Sequence, residues 1–356
     1  MPSLSAKRLD YLRFSQEDAA TLVALGECLG KQKLYLKQKP ETLQALQSVA
    51  AVESADSSNR LEGITAPQSR IEALVKDSAT PRDRSEQEIA GYRDAMKHVH
   101  QDGEHIPVNI NVILQLHQWI YQYLGERGGH WKTVDNEIVE KDADGNAIRI
   151  RFKAVSAVAT PQAMGDLVSG YRQALADGRD PMVVIPLFVL DFLCIHPFRD
   201  GNGRVSRLIT NLLLYHAGYE VSRYVSLERH YWETRESYYR TLEASSLGWH
   251  ESEHDVMIWM RYFWGVLLSA YAEFEERVGN IEKGRGSKTK RIRDAVERKV
   301  TPFTLADLKR EMPDISRDMI RTVLRQLKTE DRVRAEGRGR GARWIPGNPR
   351  RKANNE

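Results

Sequence analysis

Twelve consecutive residues carry the densest chemistry in the chain. They read His196, Pro197, Phe198, Arg199, Asp200, Gly201, Asn202, Gly203, Arg204, Val205, Ser206, Arg207. A histidine accepts a proton near neutral pH, so His196 is a candidate general base. Asp200 offers a hard oxygen of the kind Mg2+ takes alongside substrate phosphates. Gly201 and Gly203 let backbone N–H groups turn toward a ligand, and the start of the helix that follows favours an anion. Arg204 and Arg207 stand three apart, so both can lie over that helix start and bind phosphate oxygens. The residue types point to a phosphate cradle with a metal carboxylate and a base. The alternative is an elaborate turn between two packed helices, and a lone GxG is weak evidence. A P-loop is excluded, because no Gly-Lys-Ser/Thr follows.

The elements that position this segment are apolar helices. Residues 182–195 form the most apolar stretch, interrupted at Asp191, and read as a buried helix ending at His196. Residues 203–217 continue as a second. Helical patterns also cover 16–49 (split near Pro40), 85–99, 107–124, 161–176, 231–247 and 253–277. Ser85 and Glu88 have capping-box spacing. In 107–124 the residues Ile110, Ile113, Leu114, His117, Tyr121 and Leu124 make one core stripe. Between 128 and 156 the pattern alternates, with Ile138 and Val139 before a turn at Asp142–Gly145, then Ile148, Ile150 and Phe152. That is a β-hairpin, and its aspartates lack the remaining ligands of a calcium loop. The fold class is therefore mainly α, with one hairpin.

The 356 residues allow two to three domains. Residues 281–356 hold 22 Lys and Arg against 11 Asp and Glu, which leaves 31 against 38 for residues 1–280. A Gly, Ser and Lys/Arg linker at 282–291 precedes helical patterns at 291–299, 304–311 and 316–329. Met312–Ile315 turns between the last two, and a Gly/Arg-rich ribbon follows at 332–344. Three helices and a basic ribbon outline a winged helix-turn-helix. The expected domains are 1–105, 106–280 and 281–356. Two cysteines, Cys28 and Cys194, exclude a disulfide scaffold. Without an apolar leader or a spanning segment, the expected address is the cytoplasm, with no membrane partner.

The segment His196–Arg207 resembles the Fic family signature HxFx(D/E)GNGRxxR at every fixed position, and the resemblance runs over roughly residues 40–275. It implies a helical Fic core that transfers AMP from ATP to a hydroxyl of a target protein, with pyrophosphate leaving. It implies His196 as the base and Asp200 as the Mg2+ ligand. Gly201, Asn202 and Gly203 would form the anion hole, Arg204 would bind the β-phosphate side and Arg207 the γ-phosphate, with Val205 and Ser206 between them. The hairpin stretch Arg149, Ile150, Arg151, Phe152 corresponds to the family's flap, which pairs with a target segment. Tyr238 and Tyr239 resemble its adenine-side tyrosines, although packing on a helix explains one of the two equally well. Residues Ser58, Glu62 and Gly63 match the inhibitory pattern (S/T)xxxE(G/N), which implies that Glu62 occupies Arg207 and holds ATP in an unproductive pose.

Three readings stay open on the sequence: a self-inhibited protein adenylyltransferase, a DNA-binding regulator with a Fic sensor body, and a bifunctional enzyme that also removes AMP with Glu62 positioning water. Candidate partners are a protein bearing a hydroxyl side chain, a second copy of the chain, and duplex DNA through residues 287–347. For the last, Arg317, Arg321, Arg325 and Lys328 share a helix face, and Arg334, Arg338, Arg340 and Arg343 follow on the ribbon. Other features read as packing: His98, His100 and His105 are not spaced as metal ligands, Trp249, His250 and Trp259 are aromatic packing, and Cys194 is inert core.

Overall fold

A computed structural model describes all residues except Met1, 37–39, 77–78, 126, 142–146, 283–286, 298, 300–301, 313–314, 338–342 and 347–356. The chain divides into two compact units, Met1–Glu275 and Glu276–Glu356. It is predominantly helical, as the sequence patterns require. Among the described residues no helix is long and apolar enough to cross a membrane.

The first unit opens with α1 (Ala6–Tyr11), α2 (Gln16–Tyr35), α3 (Pro40–Leu61), α4 (Gln68–Val75), α5 (Arg84–Asp102) and α6 (Ile110–Ile120). Ser15 and Asp18 form the capping box of α2. The start of α5 corrects the sequence expectation. Asp83, two residues before Ser85, is the N-cap and accepts from the Glu86 N–H. Glu88 is thereby free of any capping duty and reaches the site instead. Helices α5 and α6 pack at glycine distance, since a Cβ on Gly91 would stand 2.1 Å from the Ile120 carbonyl oxygen.

Strands β1 (Glu137–Lys141) and β2 (Ala147–Lys153) form the expected antiparallel hairpin. Its register pairs Ile138 with Phe152 but Val139 with Ile150, so β2 carries an extra residue at Arg151. The Asp142–Gly145 turn lies outside the described residues. Then follow α7 (Thr160–Ala176), α8 (Pro181–Ile195), α9 (Asn202–His216), a 3₁₀ turn (Val221–Arg223), α10 (Leu227–Glu233), α11 (Arg235–Ser246) and α12 (Met257–Glu282). The single helix expected over 231–247 is two, because Thr234 ends α10 and begins α11.

Helix α8 is the centre of this unit and is apolar on every face, as a helix surrounded by others must be. Pro186 lies inside it and cannot donate to the Met182 carbonyl. The indole of Trp264 on α12 takes that place, donating to the Met182 oxygen at 2.7 Å. Trp259, one helical step away, donates to the Pro186 oxygen at 2.9 Å. Asp191, the charge inside the apolar run, accepts from the Trp249 indole at 2.6 Å and from the Ser3 backbone and hydroxyl. Burial pushes its pKa up to about 6 against those donors.

The second unit holds α13 (Ser287–Glu297), β3 (Phe303–Thr304), α14 (Leu305–Glu311), α15 (Arg317–Thr329), β4 (Val333–Glu336) and β5 (Arg343–Pro346). Its sheet runs β3-β5-β4, antiparallel throughout. Ile292, Val296, Phe303, Leu308, Leu324 and Trp344 belong to its own hydrophobic core. Three helices with a small sheet, one strand of it between the first two helices and two after the third, are the outline of a winged-helix element. Arg338 and Arg340 lie outside the described residues.

Candidate active site

The loop between α8 and α9 takes its shape from hydrogen bonds that come from distant segments. Helix α8 ends at His196 in the left-handed region, φ 52° and ψ 59°, an uncommon conformation for a residue with a Cβ. Gly201, at φ 79°, turns the chain into α9. The Asn202 side chain closes the loop on itself, accepting from the Phe198 N–H at 2.9 Å and donating to the Phe198 carbonyl at 2.8 Å. The Lys132 ammonium donates to the Ile195 carbonyl at 3.1 Å and the Lys132 N–H to that of Pro197 at 2.9 Å. Asn136 reaches the Phe198 carbonyl at 2.9 Å. His117 accepts the Gly129 N–H on Nδ1 at 2.8 Å, so its Nε2–H donates to the Asp200 carbonyl at 3.1 Å. The His117 ring also stacks on Phe198 with centroids 3.9 Å apart. With these carbonyls occupied, and no side chain capping the N-terminus of α9, its first-turn amides are left for an anion.

His196 has the geometry of a base. Its Nδ1–H is 3.3 Å from the Leu193 carbonyl, which leaves the Nε2 lone pair as the acceptor. Burial pushes its pKa down to about 4, the nearby Lys132 ammonium acts in the same direction, and Glu62 and Asp200 oppose them. The ring is therefore neutral at pH 7. Burial works to raise the Asp200 pKa, but Arg204 together with donors from Tyr121 and Gly201 leaves it below its ordinary value. The Asp200 carboxylate accepts the Tyr121 O–H at 2.9 Å and the Gly201 N–H at 2.7 Å, and its side chain is 65% exposed.

The two arginines expected to share the start of α9 divide instead. Arg204 is wholly buried and pairs with Glu88 at 2.6 Å, with the Asp200 carboxylate 3.6 Å away. Arg207 is held by the end of α3. It donates to the Ser58 hydroxyl and carbonyl, each at 2.8 Å, and to Glu62 Oε1 at 2.9 Å. Burial works to lower its pKa, yet the Glu62 carboxylate keeps the guanidinium charged. Gly63 follows at φ 77° and lets the chain leave the helix. A Cβ on Gly203 would come within 2.1 Å of Glu62 Oε1. An internal carboxylate thus lies against the helix start where the sequence anticipates an anion.

A cavity of roughly 190 Å³ opens here, lined by His196, Gly203, Arg207, Glu62, Tyr238 and Tyr239 among others. Tyr238 is buried among Tyr231, Trp259 and Tyr262. Tyr239 donates its hydroxyl to the Leu61 carbonyl at 2.7 Å. Of the four hairpin residues, Arg151 and Phe152 line the cavity. Arg149 and Arg151 both pair with Glu243, at 2.7 and 2.6 Å, and Ile150 stays 55% exposed. Phe152 stacks on His250 at 5.3 Å and meets the edge of Trp249. His250 and Trp249, set aside as packing, therefore anchor the hairpin. His117, Tyr121, Lys132 and Asn136 were likewise missed as site residues. The one signal available was polarity at positions 117 and 121 of an otherwise apolar helical stripe. Val205 and Ser206 are buried in α9. The histidines dismissed as a metal cluster are occupied otherwise, His98 on Trp119 and His100 on Tyr215. Among the described residues no group of three or more metal-binding side chains occurs.

Comparison with known proteins bears on the same segment. Residues 107–214 match the Fic/DOC family model. The chain is 26% identical over 137 residues to protein adenylyltransferase fic-1 of Caenorhabditis briggsae and 32% identical over 98 residues to that of Caenorhabditis elegans. These matches cover 38% and 28% of this chain, but only 24% and 18% of the length of those two proteins. The crystal structure of a Fic family protein from Desulfovibrio desulfuricans aligns over 94% of this chain and 97% of its own, with a TM-score of 0.61 at 18% identity. The chain therefore has a Fic/DOC-family fold, homologous over part of its length to known Fic adenylyltransferases.

Proposed function

We propose that the chain is a protein adenylyltransferase restrained by its own Glu62. The observation that carries this reading is the neutral His196 imidazole opening on the same cavity as Arg207 and the start of α9. The reaction has the target hydroxyl give its proton to His196 Nε2 while its oxygen attacks the α-phosphorus of ATP. The bond from that phosphorus to the bridging oxygen breaks, and pyrophosphate leaves. The amides of Asn202 and Gly203 receive phosphate oxygens while that of Gly201 holds Asp200, and Arg207 receives the γ-phosphate. Arg204 acts from below, holding Asp200 through charge, while Tyr121 fixes the carboxylate by hydrogen bond.

Asp200 suits Mg2+, because it presents an exposed, ionised carboxylate without further protein ligands, and this ion is commonly held by one or two carboxylates plus substrate phosphates. Bound there, the ion would supply charge neutralisation for the phosphates. Adenine would lie on the Tyr238 and Tyr239 side, and Arg149, Ile150, Arg151 and Phe152 would seat the target segment. Ser58, Glu62 and Gly63 form the brake. Incubation with α-labelled ATP and Mg2+ tests the reading: Glu62→Gly is expected to label itself strongly and wild type weakly. No label in either protein overturns it.

The second unit favours an additional reading, duplex DNA binding. Arg317, Arg321, Arg325 and Lys328 are all exposed on α15, beside the buried stripe of Ile320, Val323, Leu324 and Leu327. Arg334 and Arg343 are exposed on the strands that follow. Titration of the full chain with a duplex at two salt concentrations tests it, since phosphate contacts require affinity to fall steeply as salt rises. Absence of binding at low salt overturns it.

A further inference from the structure

We propose that a groove beside Asp200 recognises an acidic segment of the target protein, next to the hydroxyl that is modified. The inference rests on the transferase reading and supplies its substrate class. The groove encloses roughly 930 Å³, several times the cavity at His196. Its cations are Arg84, Arg127, Lys132 and Arg199. Its carboxylates are Asp135 and Asp200, and both are already engaged. Asp135 accepts the Ala157 N–H at 2.6 Å, and Asp200 accepts from Tyr121 and Gly201.

The positive charges are not matched in the same way. Arg84 pairs with Glu88 at 3.1 Å. Among the described residues, Arg127 and Arg199 have no ion-pair partner and both are exposed. Lys132 is buried, at 4% exposure, and donates only to neutral oxygens of Asn136 and Ile195. Burial pushes its pKa down to about 8, so it remains mostly charged at neutral pH. Two exposed cations without an ion-pair partner among the described residues, beside a buried one that feels only the charge of Asp135, raise a positive potential over one groove, and a carboxylate brought there gains from all three.

Position argues for a polypeptide. Lys132 binds the carbonyl of Ile195, the residue before His196, so a chain lying over Lys132 passes close to the imidazole. Residues 133–136 line the groove and Glu137 begins β1, whose hairpin offers unpaired strand edges. Trp131 and the 75% exposed Val134 add apolar contact between the charges. A nucleic acid backbone, charged at every step, would meet Asp135 and Asp200 as well as the cations.

The test uses the full chain with Glu62→Gly, α-labelled ATP, and two peptides with Ser, Thr and Tyr at the centre. One peptide is flanked by Glu, the other by Lys. The acidic peptide should be labelled at least about tenfold faster, and R127E combined with R199E should reverse the preference. Anisotropy of the fluorescent acidic peptide, without ATP, provides an independent readout and should show affinity falling at least about tenfold in the double variant. Equal binding of both peptides overturns the groove, as does binding unaffected by the double variant. A duplex oligonucleotide that displaces the peptide at lower concentration overturns its assignment to protein. Selective binding lost in the double variant, with no transfer to any peptide or to the chain itself, supports the groove and rejects the transferase reading alone.

Discussion

The cavity at His196 and the groove at Lys132 flank one loop, yet they treat charge in opposite ways. In the cavity, Arg207 already has a carboxylate from α3, and the start of α9 has that same carboxylate against Gly203. In the groove, Arg127 and Arg199 have no ion-pair partner among the described residues, and Lys132 donates to neutral oxygens with only the charge of Asp135 acting on it. A site that supplies its own anion can be switched by removing it. One whose lysine and arginines outnumber its carboxylates has charge left for an anion from outside. On the proposed reading, the contrast separates regulation from recognition within a few residues.

The largest expected effect is loss of the base. His196→Ala should lower transfer by roughly 10²–10⁴-fold while ATP binding persists, measured with labelled ATP and by calorimetry. Near-full transfer would remove His196 from the mechanism. Next comes the brake. Glu62→Gly should raise self-labelling by about 10- to 100-fold, the span of a charged hydrogen bond of about 1.5–3 kcal/mol. Arg207→Ala in that background should reverse the gain, and equal activity of wild type and Glu62→Gly would make the internal carboxylate a structural contact only.

A smaller effect joins the two regions through pH. Burial lowers the folded pKa of His117, His196 and His254 to about 4 and that of His100 to about 3, from 6.5. Unfolded, these rings bind protons first. Their contribution is therefore present above pH 6.5 and is lost as pH falls toward 4. Asp191, raised to about 6, and Glu220, also raised, work the other way over part of that window, while His230, also lowered, adds to the four histidines. The melting temperature should fall steadily between pH 6.5 and 4, and His117→Asn should flatten part of the slope. The smallest effect is Asp83→Ala, which removes the α5 cap. It should cost about 1 kcal/mol and lower the melting temperature by roughly 2–4 °C with little change in the groove.

Much of the helical plan was legible because apolar periodicity and caps are local. Helix α8 showed itself as an apolar run interrupted only at Asp191, and the signature after it is contiguous. What escaped detection lies across the fold. Asp83 and Ser85 are both acceptable caps, and the fold uses Asp83 while Glu86 turns to Arg70 of α4 and the Arg82 N–H. Arg204 and Arg207 look alike in sequence, and their fates depend on Glu88 and Glu62, more than a hundred residues upstream. Lys132 resembles any loop lysine until the Ile195 carbonyl is placed beside it. The break at Thr234 has no proline or glycine to announce it.

The pinned loop has a consequence for design. Its carbonyls at 195, 197, 198 and 200 are held by His117, Lys132 and Asn136, none of which belongs to the twelve-residue signature. A graft of residues 196–207 between two other helices would carry every reacting atom and half of its own scaffold. Without the imidazole, ammonium and amide behind it, such a graft would be free to rotate its peptide groups, and its anion-facing amides would have to be ordered afresh by each substrate.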